Sequence, residues 1–281
     1  MSNTSLAGES NKRDEADVSA NAMPLTLCLD TATDARSVAV ARGARIISII
    51  RDAVAQSRSS VLLEEIDTAL RYAKVSLREI DLYAVASGPG SFTGLRAGLA
   101  TTKAFASINA RPVAAIDTLH AVALAAGTST HTLAMIPAGR GEVFAQALRV
   151  DKDGRIVELS EAAHMNPAIL LRRAANQTGI LKFAGGGART HAELIRSVAD
   201  EEGIDFIDEL IGDGSDATIR RIDSVDAKRI WTLARAVEDY ATEIARLSLI
   251  SYREGRTIDA HDLAASYVRP SDAELNEGCH R

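Results

Sequence analysis

One segment, DLYAVASGPGSFTGLRAGLATTKAFAS at 81–107, constrains this chain more than any other. Leu82–Ala86 is a short apolar strand, and it runs into a loop holding Gly88, Pro89 and Gly90. A helix then opens at Ser91, Phe92 and Thr93. A glycine loop between a strand and a helix start presents free backbone N–H groups and the positive end of the helix dipole, which suits an anion. Inside the helix, Gly94 and Gly98 stand one turn apart, with Ala97 and Thr101 beside them. Each interior glycine costs about 1 kcal/mol relative to alanine, so close approach of another group to that face must compensate. The segment implies a nucleotide site, a partner surface, or both.

The flanking patterns place this unit in an α/β fold. Leu25–Asp30, Ser37–Ala41 and Arg45–Arg51 read as strands, the first two joined by a connector short enough for an antiparallel hairpin. From Ser59 or Ser60 to Lys74, the residues Leu62, Ile66, Ala69, Leu70 and Ala73 recur at helical spacing. Pro112–Ile116 reads as a strand and Thr118–Ala126 as a helix. Three strands followed by alternating helices and strands describe a mixed sheet covered by helices. A second half begins near Thr132, with strands at Leu133–Ile136, Glu142–Val150, Arg155–Leu159 and Leu181–Ala184. A helix starts at Pro167 and another spans Ala192–Asp200. Residues 208–226 read as irregular. Over Ala227–Tyr252, Ile230, Leu233, Val237, Ala241, Ile244 and Leu247 keep helical phase and predict one helix about 40 Å long. The division is a polar extension over 1–23, one subdomain over 24–128, a second over 129–270 and a flexible tail over 271–281.

Charge and composition exclude several classes of function. With 32 basic and 38 acidic residues, the chain has a formal net charge of −6 and lacks the basic footprint of an autonomous nucleic-acid binder. Two cysteines make no disulfide framework and fit a reducing cytoplasm. No apolar run approaches the ~20 residues of a membrane span, and residues 1–24 lack the apolar core expected of a signal peptide. The six histidines form no i,i+3 or i,i+4 pair, there is no GxSxG serine, and no nucleophile stands beside an evident base. Catalytic and metal-ligating residues are therefore expected to be absent.

Two features keep alternative readings open. Asp30 ends the first strand with Thr31 and Thr33 after it, an arrangement that fits a metal hydrate or phosphate, or else an Asx-type turn. Gly185, Gly186 and Gly187 follow an apolar strand, and they allow either a tight turn or approach to an adenosine. Arg96 sits in the first helical turn, where a cation opposes the dipole and calls for an acidic or phosphate neighbour.

LCLDTAT and SVAV within 27–40, SVLLEEIDTAL at 60–70, GPGSFTGLRAGLATTKAFA at 88–106 and RGEVFAQAL at 140–148 together resemble the TsaB family. The stretch Tyr267-Val268-Arg269-Pro270 followed by Ala273-Glu274 resembles that family's C-terminal signature. The resemblance implies an actin-like, sugar-kinase-like ATPase fold of two ribonuclease-H-like subdomains, with mixed sheets flanked by helices. It further implies a cytoplasmic, non-catalytic subunit of the machinery that installs threonylcarbamoyl on the tRNA adenosine next to the anticodon. TsaD would be the catalytic partner in a heterodimer and the ATPase TsaE a third component. A homodimer would form without TsaD, and tRNA would be met only through the complex. The helices at 59–74 and 91–108 would dock TsaD through Leu62, Leu63, Ile66, Gly94, Leu95, Ala97, Gly98, Thr101 and Phe105. Asp30, Thr31, Gly88, Gly90, Ser91 and Arg96 would face a nucleotide or acidic group, with no cofactor of the chain's own and ATP or ADP at the partner joint. The rivals are a stand-alone actin-fold ATPase or kinase, resting on Asp30 and the glycine triplet, and a metallopeptidase, against which the lack of a histidine pair argues.

Overall fold

A computed structural model describes residues 23–51, 59–209 and 229–268. Apart from Met23, the extension expected over 1–23 lies outside the described residues, as do Arg58, most of 208–226, Arg269, Pro270 and the tail over 271–281.

The first sheet contains β1 (Leu25–Asp30), β2 (Ser37–Arg42), β3 (Arg45–Arg51), β4 (Leu82–Gly88) and β5 (Val113–Asp117) in the order β3-β2-β1-β4-β5. β1, β2 and β3 form an antiparallel meander, and β4 and β5 continue the sheet in parallel with β1. Every residue of β1 and β4 is buried, because central strands with both faces covered are apolar throughout. Helices α1 (Ser59–Ala73) and α2 (Phe92–Asn109) form the crossovers β3–α1–β4 and β4–α2–β5. Both crossovers advance in the same direction along the sheet, so their right-handedness puts both helices on one face. Leu62, Ile66 and Ala69 of α1 turn into the core, as their spacing predicts.

The second sheet repeats the plan. β6 (Ser129–Gly139), β7 (Glu142–Val150), β8 (Ile156–Glu158), β9 (Ala163–Met165), β10 (Ile180–Ala184), β11 (Asp205–Asp208) and β12 (Ile230–Leu233) follow the order β11-β12-β10-β6-β7-β8, with β9 also on β7. β6 is antiparallel to β7 and parallel to β10, as β1 is to β2 and β4. Helices α3 (Thr118–Ala125), α4 (Pro167–Ala174), α5 (Gly186–Thr190), α6 (Ala192–Glu201) and α7 (Ala241–Arg253) complete the described α-helices, and two short 3-10 turns lie at Leu77–Glu79 and Ala260–Asp262. Two mixed sheets flanked by helices make this an actin-like α/β fold.

The single long helix expected over 227–252 is instead a strand, a connector and a shorter helix. Ile230–Leu233 is β12, buried at every position between β11 and β10, and helix resumes only at Ala241. An apolar run covered on both faces satisfies helical and strand spacing equally, and the β-branched and aromatic side chains in IWTL favour the strand. The domain division shifts as well. α7 packs on β1, β2, β4 and β5 of the first sheet, and Tyr240, Ala241, Ile244, Ala245 and Leu263 belong to that sheet's core. The first lobe therefore reclaims the end of the chain, which the sequence had placed with 129–270.

Candidate functional site: the α1–α2 face and the inter-lobe cleft

The glycine loop is closed by the protein's own backbone. A Cβ at Gly88, where φ is +123°, would lie 2.4 Å from the Ser266 carbonyl oxygen, and the Ser266 N–H donates to the Ser87 carbonyl at 2.7 Å. A Cβ at Gly90 would lie 2.4 Å from the Ala32 carbonyl oxygen, which accepts from the Ser91 N–H at 2.8 Å. Ser91 caps α2 by accepting from the Gly94 N–H at 3.3 Å. The expected anion cradle at Gly88, Gly90 and Ser91 is thus a seam, closed on one side by the β1–β2 connector and on the other by the chain near Ser266.

The glycine ridge is corrected in the same way. A Cβ at Gly94 would meet the Thr31 carbonyl oxygen at 1.8 Å, and one at Gly98 would meet Thr31 Oγ1 at 2.2 Å. The Thr31 hydroxyl donates to the Gly94 carbonyl at 2.7 Å. Close approach is the reason for both glycines, as their helix-propensity cost requires, but the approaching group is Thr31 and not a second protein. Leu62, Ile66, Leu95 and Gly98 are likewise buried and unavailable to a partner. Phe105 is partly buried and packs against Tyr83, with ring centroids 6.4 Å apart.

What α2 turns outward is its other side. Thr93, Arg96, Ala100, Ala104 and Ser107 are exposed, Ala97 and Thr101 are half-buried, and Ile108 at the far end is 79% exposed. Leu63 of α1 is 53% exposed on the same sheet face. At the start of α2, Phe92 and Tyr267 pair with ring centroids 6.0 Å apart, and the Arg96 guanidinium lies 3.9 Å from the Phe92 centroid. The cation at the unfavourable end of the dipole is therefore offset by an aromatic face, where the sequence suggested an acid or phosphate. Phe92 was absent from the candidate residues, and its position four residues before Arg96 on one helix face is the signal that identifies it.

The cleft between the lobes, about 300 Å³, is lined by Asp34, Val122, Pro137, Gly186, Glu238 and Tyr240 among others. Asp30 stands behind it, 1% exposed, its carboxylate accepting from the Ala32 and Thr33 N–H groups and from the Thr33 hydroxyl. This is the Asx-type turn, and burial pushes the acid up to about 6 despite those donors and Arg36. The glycine triplet is also packed by its own chain. A Cβ at Gly185 would lie 2.4 Å from the Met135 carbonyl oxygen, and one at Gly187 would lie 3.0 Å from the Ile136 nitrogen. Arg189, the cation on the cleft wall, is held by Asp208 at 2.9 Å and by the carbonyls of Leu233 and Ala234. Asp34 and Glu238 line the same cleft. Asp259, His261 and Asp262 group closely enough to hold a cation among the described residues, but all three are exposed on one short turn. No helix among the described residues is long and apolar enough to cross a membrane.

Comparison with known proteins gives these surfaces a context. The family described as TsaD, tRNA N6-adenosine threonylcarbamoyltransferase, matches residues 49–207, more than half of the chain. The Escherichia coli tRNA threonylcarbamoyladenosine biosynthesis protein TsaB is 28% identical over 171 residues, 60% of this chain and 74% of that protein. The Haemophilus influenzae protein of the same name is 35% identical over 128 residues, 44% of this chain and 53% of that protein. The structure of YeaZ from Pseudomonas aeruginosa superposes with a TM-score of 0.65 at 21% identity, covering 87% of this chain and all of that one, a likeness of fold. The chain belongs to the TsaD family, on its TsaB (YeaZ) branch.

Proposed function

We propose that this chain is an accessory subunit of tRNA threonylcarbamoyladenosine synthesis that binds and supports a TsaD-type catalytic partner. The observation that carries this reading is the outward side of α2, where Ala97, Ala100, Thr101 and Ala104 leave a smooth track. Exposed Phe92 and Ile108 end the track, and Leu63 is exposed on α1. Small residues let a partner helix approach closely, and apolar residues at the margins bury area as it does. A standard interface needs about 800 Å² from each partner, within the reach of two helices of four to five turns. Chemistry would reside in the partner, since Asp30 is engaged by its own turn and the terminal nitrogens of Arg189 by Asp208 and two backbone carbonyls.

The test is co-purification of the full chain with its cognate TsaD. Ala100→Arg and Ala104→Arg replace exposed residues with good helix formers, so each variant keeps its melting temperature. Each lowers affinity for TsaD at least tenfold and reduces tRNA modification in cells that depend on it. Undiminished complex formation by both variants overturns the assignment of this face. Gly98→Leu is the wrong probe, because it strikes Thr31 and measures folding.

A further inference from the structure

A second inter-lobe cavity, larger than the cleft, is unclaimed by any of this. Its volume is about 410 Å³, and its walls come from the β5–α3 junction, the turn leading into β8, and the last turns of α7. The cleft meets α7 near its start and this groove meets it near its end, so the two are separate. Ile116, Ile156, Leu247 and Ile250 supply apolar wall, while Asp117, His120, Glu158 and Arg155 supply charge.

Three polar groups there are incompletely used by the protein. Asp117 caps α3 through Oδ1 alone, accepting the Leu119 N–H at 2.7 Å and the His120 N–H at 3.3 Å. Its Oδ2 meets no protein donor among the described residues. Ser251 lines the groove, is 8% exposed, and donates its hydroxyl to no acceptor among the described residues. Arg155 has no ion-pair partner among the described residues and lies at the exposed rim. His120 Nε2 comes within 3.1 Å of Glu158 Oε1 yet out of hydrogen-bond alignment, which keeps that carboxylate at the wall. Arg256 and Glu254, also on the wall, satisfy each other. The Ser251 hydroxyl and Asp117 Oδ2 are therefore open to the groove, and His120 Nε2 is buried there without a hydrogen-bond partner, so a ligand can engage all three without displacing a protein partner.

We infer that this groove binds a small zwitterion with an apolar body, of the free amino acid class. Asp117 and Glu158 receive the ammonium, Arg155 and the Ser251 hydroxyl receive the carboxylate, and the isoleucine and leucine walls receive the side chain. Charge selects this class. A nucleotide would bring several negative charges against Asp117, Glu158 and Glu254, and a bare divalent cation would leave Arg155 unanswered and the apolar walls wet. An apolar pocket with few convergent polar groups is the usual form of a small-molecule site.

The experiment uses the full chain alone, without any partner, so its outcome is independent of the docking face. L-leucine and L-phenylalanine are titrated by calorimetry and by ligand-observed NMR, beside leucinamide, which lacks the carboxylate, and isovalerate, which lacks the ammonium. At least one amino acid binds saturably, and its two truncated analogues, or for phenylalanine the matching pair, bind at least tenfold more weakly. Arg155→Ala and Glu158→Gln alter exposed side chains and preserve the fold, and each weakens the amino acid at least tenfold. Absence of saturable binding of both amino acids up to about 10 mM, on the weak side of ordinary small-ligand affinity, overturns the inference. So does affinity unchanged in both variants, or ADP displacing the amino acid from the groove.

Discussion

At the scale of single residues, Gly94 shows how the same observation supports two functions until coordinates separate them. Sequence alone establishes that some group must press against the helix there, because an unused interior glycine is a loss of stability. It cannot identify the group, since Thr31 lies 63 positions away in the chain and hydrogen-bonds across that separation. Gly94→Ala distinguishes the alternatives by sign. On an open helix face the substitution would stabilise by about 1 kcal/mol through helix propensity. Against the Thr31 carbonyl, a backbone atom that a rotamer change cannot clear, it destabilises by about 3 kcal/mol. Urea denaturation of wild type and variant measures the difference, and a neutral or stabilising result would return this face to the partner. Asp30 was more legible. The D-T-A-T pattern itself offers the Asx turn, and only the burial of the carboxylate had to come from the fold.

At the scale of elements, most of the first lobe is written locally. The meander, the stripe of Leu62, Ile66 and Ala69 on α1, and the cap at Ser91 each depend on residues within a few positions of one another. The end of the chain is not. Ile230–Leu233 pairs with Ile180–Phe183 and with Asp205–Asp208, partners that no local pattern names, so its apolar residues merged with those of α7 into one apparent helix. What separates them is the Asp239 side chain, whose Oδ1 accepts from the Thr242 N–H and hydroxyl at the head of α7. Its Oδ2 meets Arg51 of β3 at 2.8 Å. α7 is therefore fixed to the first sheet at its beginning, and Ile244, fully buried there, continues the contact. Ile244→Ala lowers stability by about 2–4 kcal/mol. Amide exchange accelerates in β1 and β4 by the same factor as in α7 if helix and sheet open as one unit. Faster exchange confined to α7, with β1 unaffected, would show the helix to be an accessory rather than part of that core.

At the scale of the whole molecule, buried acids set how stability responds to pH. Burial lifts Asp30 to about 6 and Glu243 to about 7, Glu243 further by the neighbouring charge of Asp239 and against the pull of Arg246. Burial raises Asp117 as well, with His120 pulling the other way and Glu158 adding to the rise. Each acid binds its proton more tightly folded than unfolded, where carboxylates titrate near ~4. The contribution of Asp30 and Glu243 is therefore fully present below the unfolded value and is lost as pH rises through about 6 to 7, and that of Asp117 changes in the same direction. His131 acts oppositely, because burial lowers it and its contribution is lost as pH falls below its unfolded value. Among the described residues, three raised acids against one lowered histidine make the fold more stable at pH 5.5 than at pH 8. Glu243, on α7 of the first lobe, is 9% exposed, so its ionisation carries a large part of that difference. Glu243→Gln keeps the shape of the side chain without the charge, and it raises stability at pH 8 by roughly 1–2 kcal/mol while flattening the melting profile between pH 5 and 8. A variant that loses stability at pH 8 and keeps the wild-type slope would mean that the ionised carboxylate is held by Arg246 in the folded protein, and that the pH response arises at Asp30 and Asp117 instead.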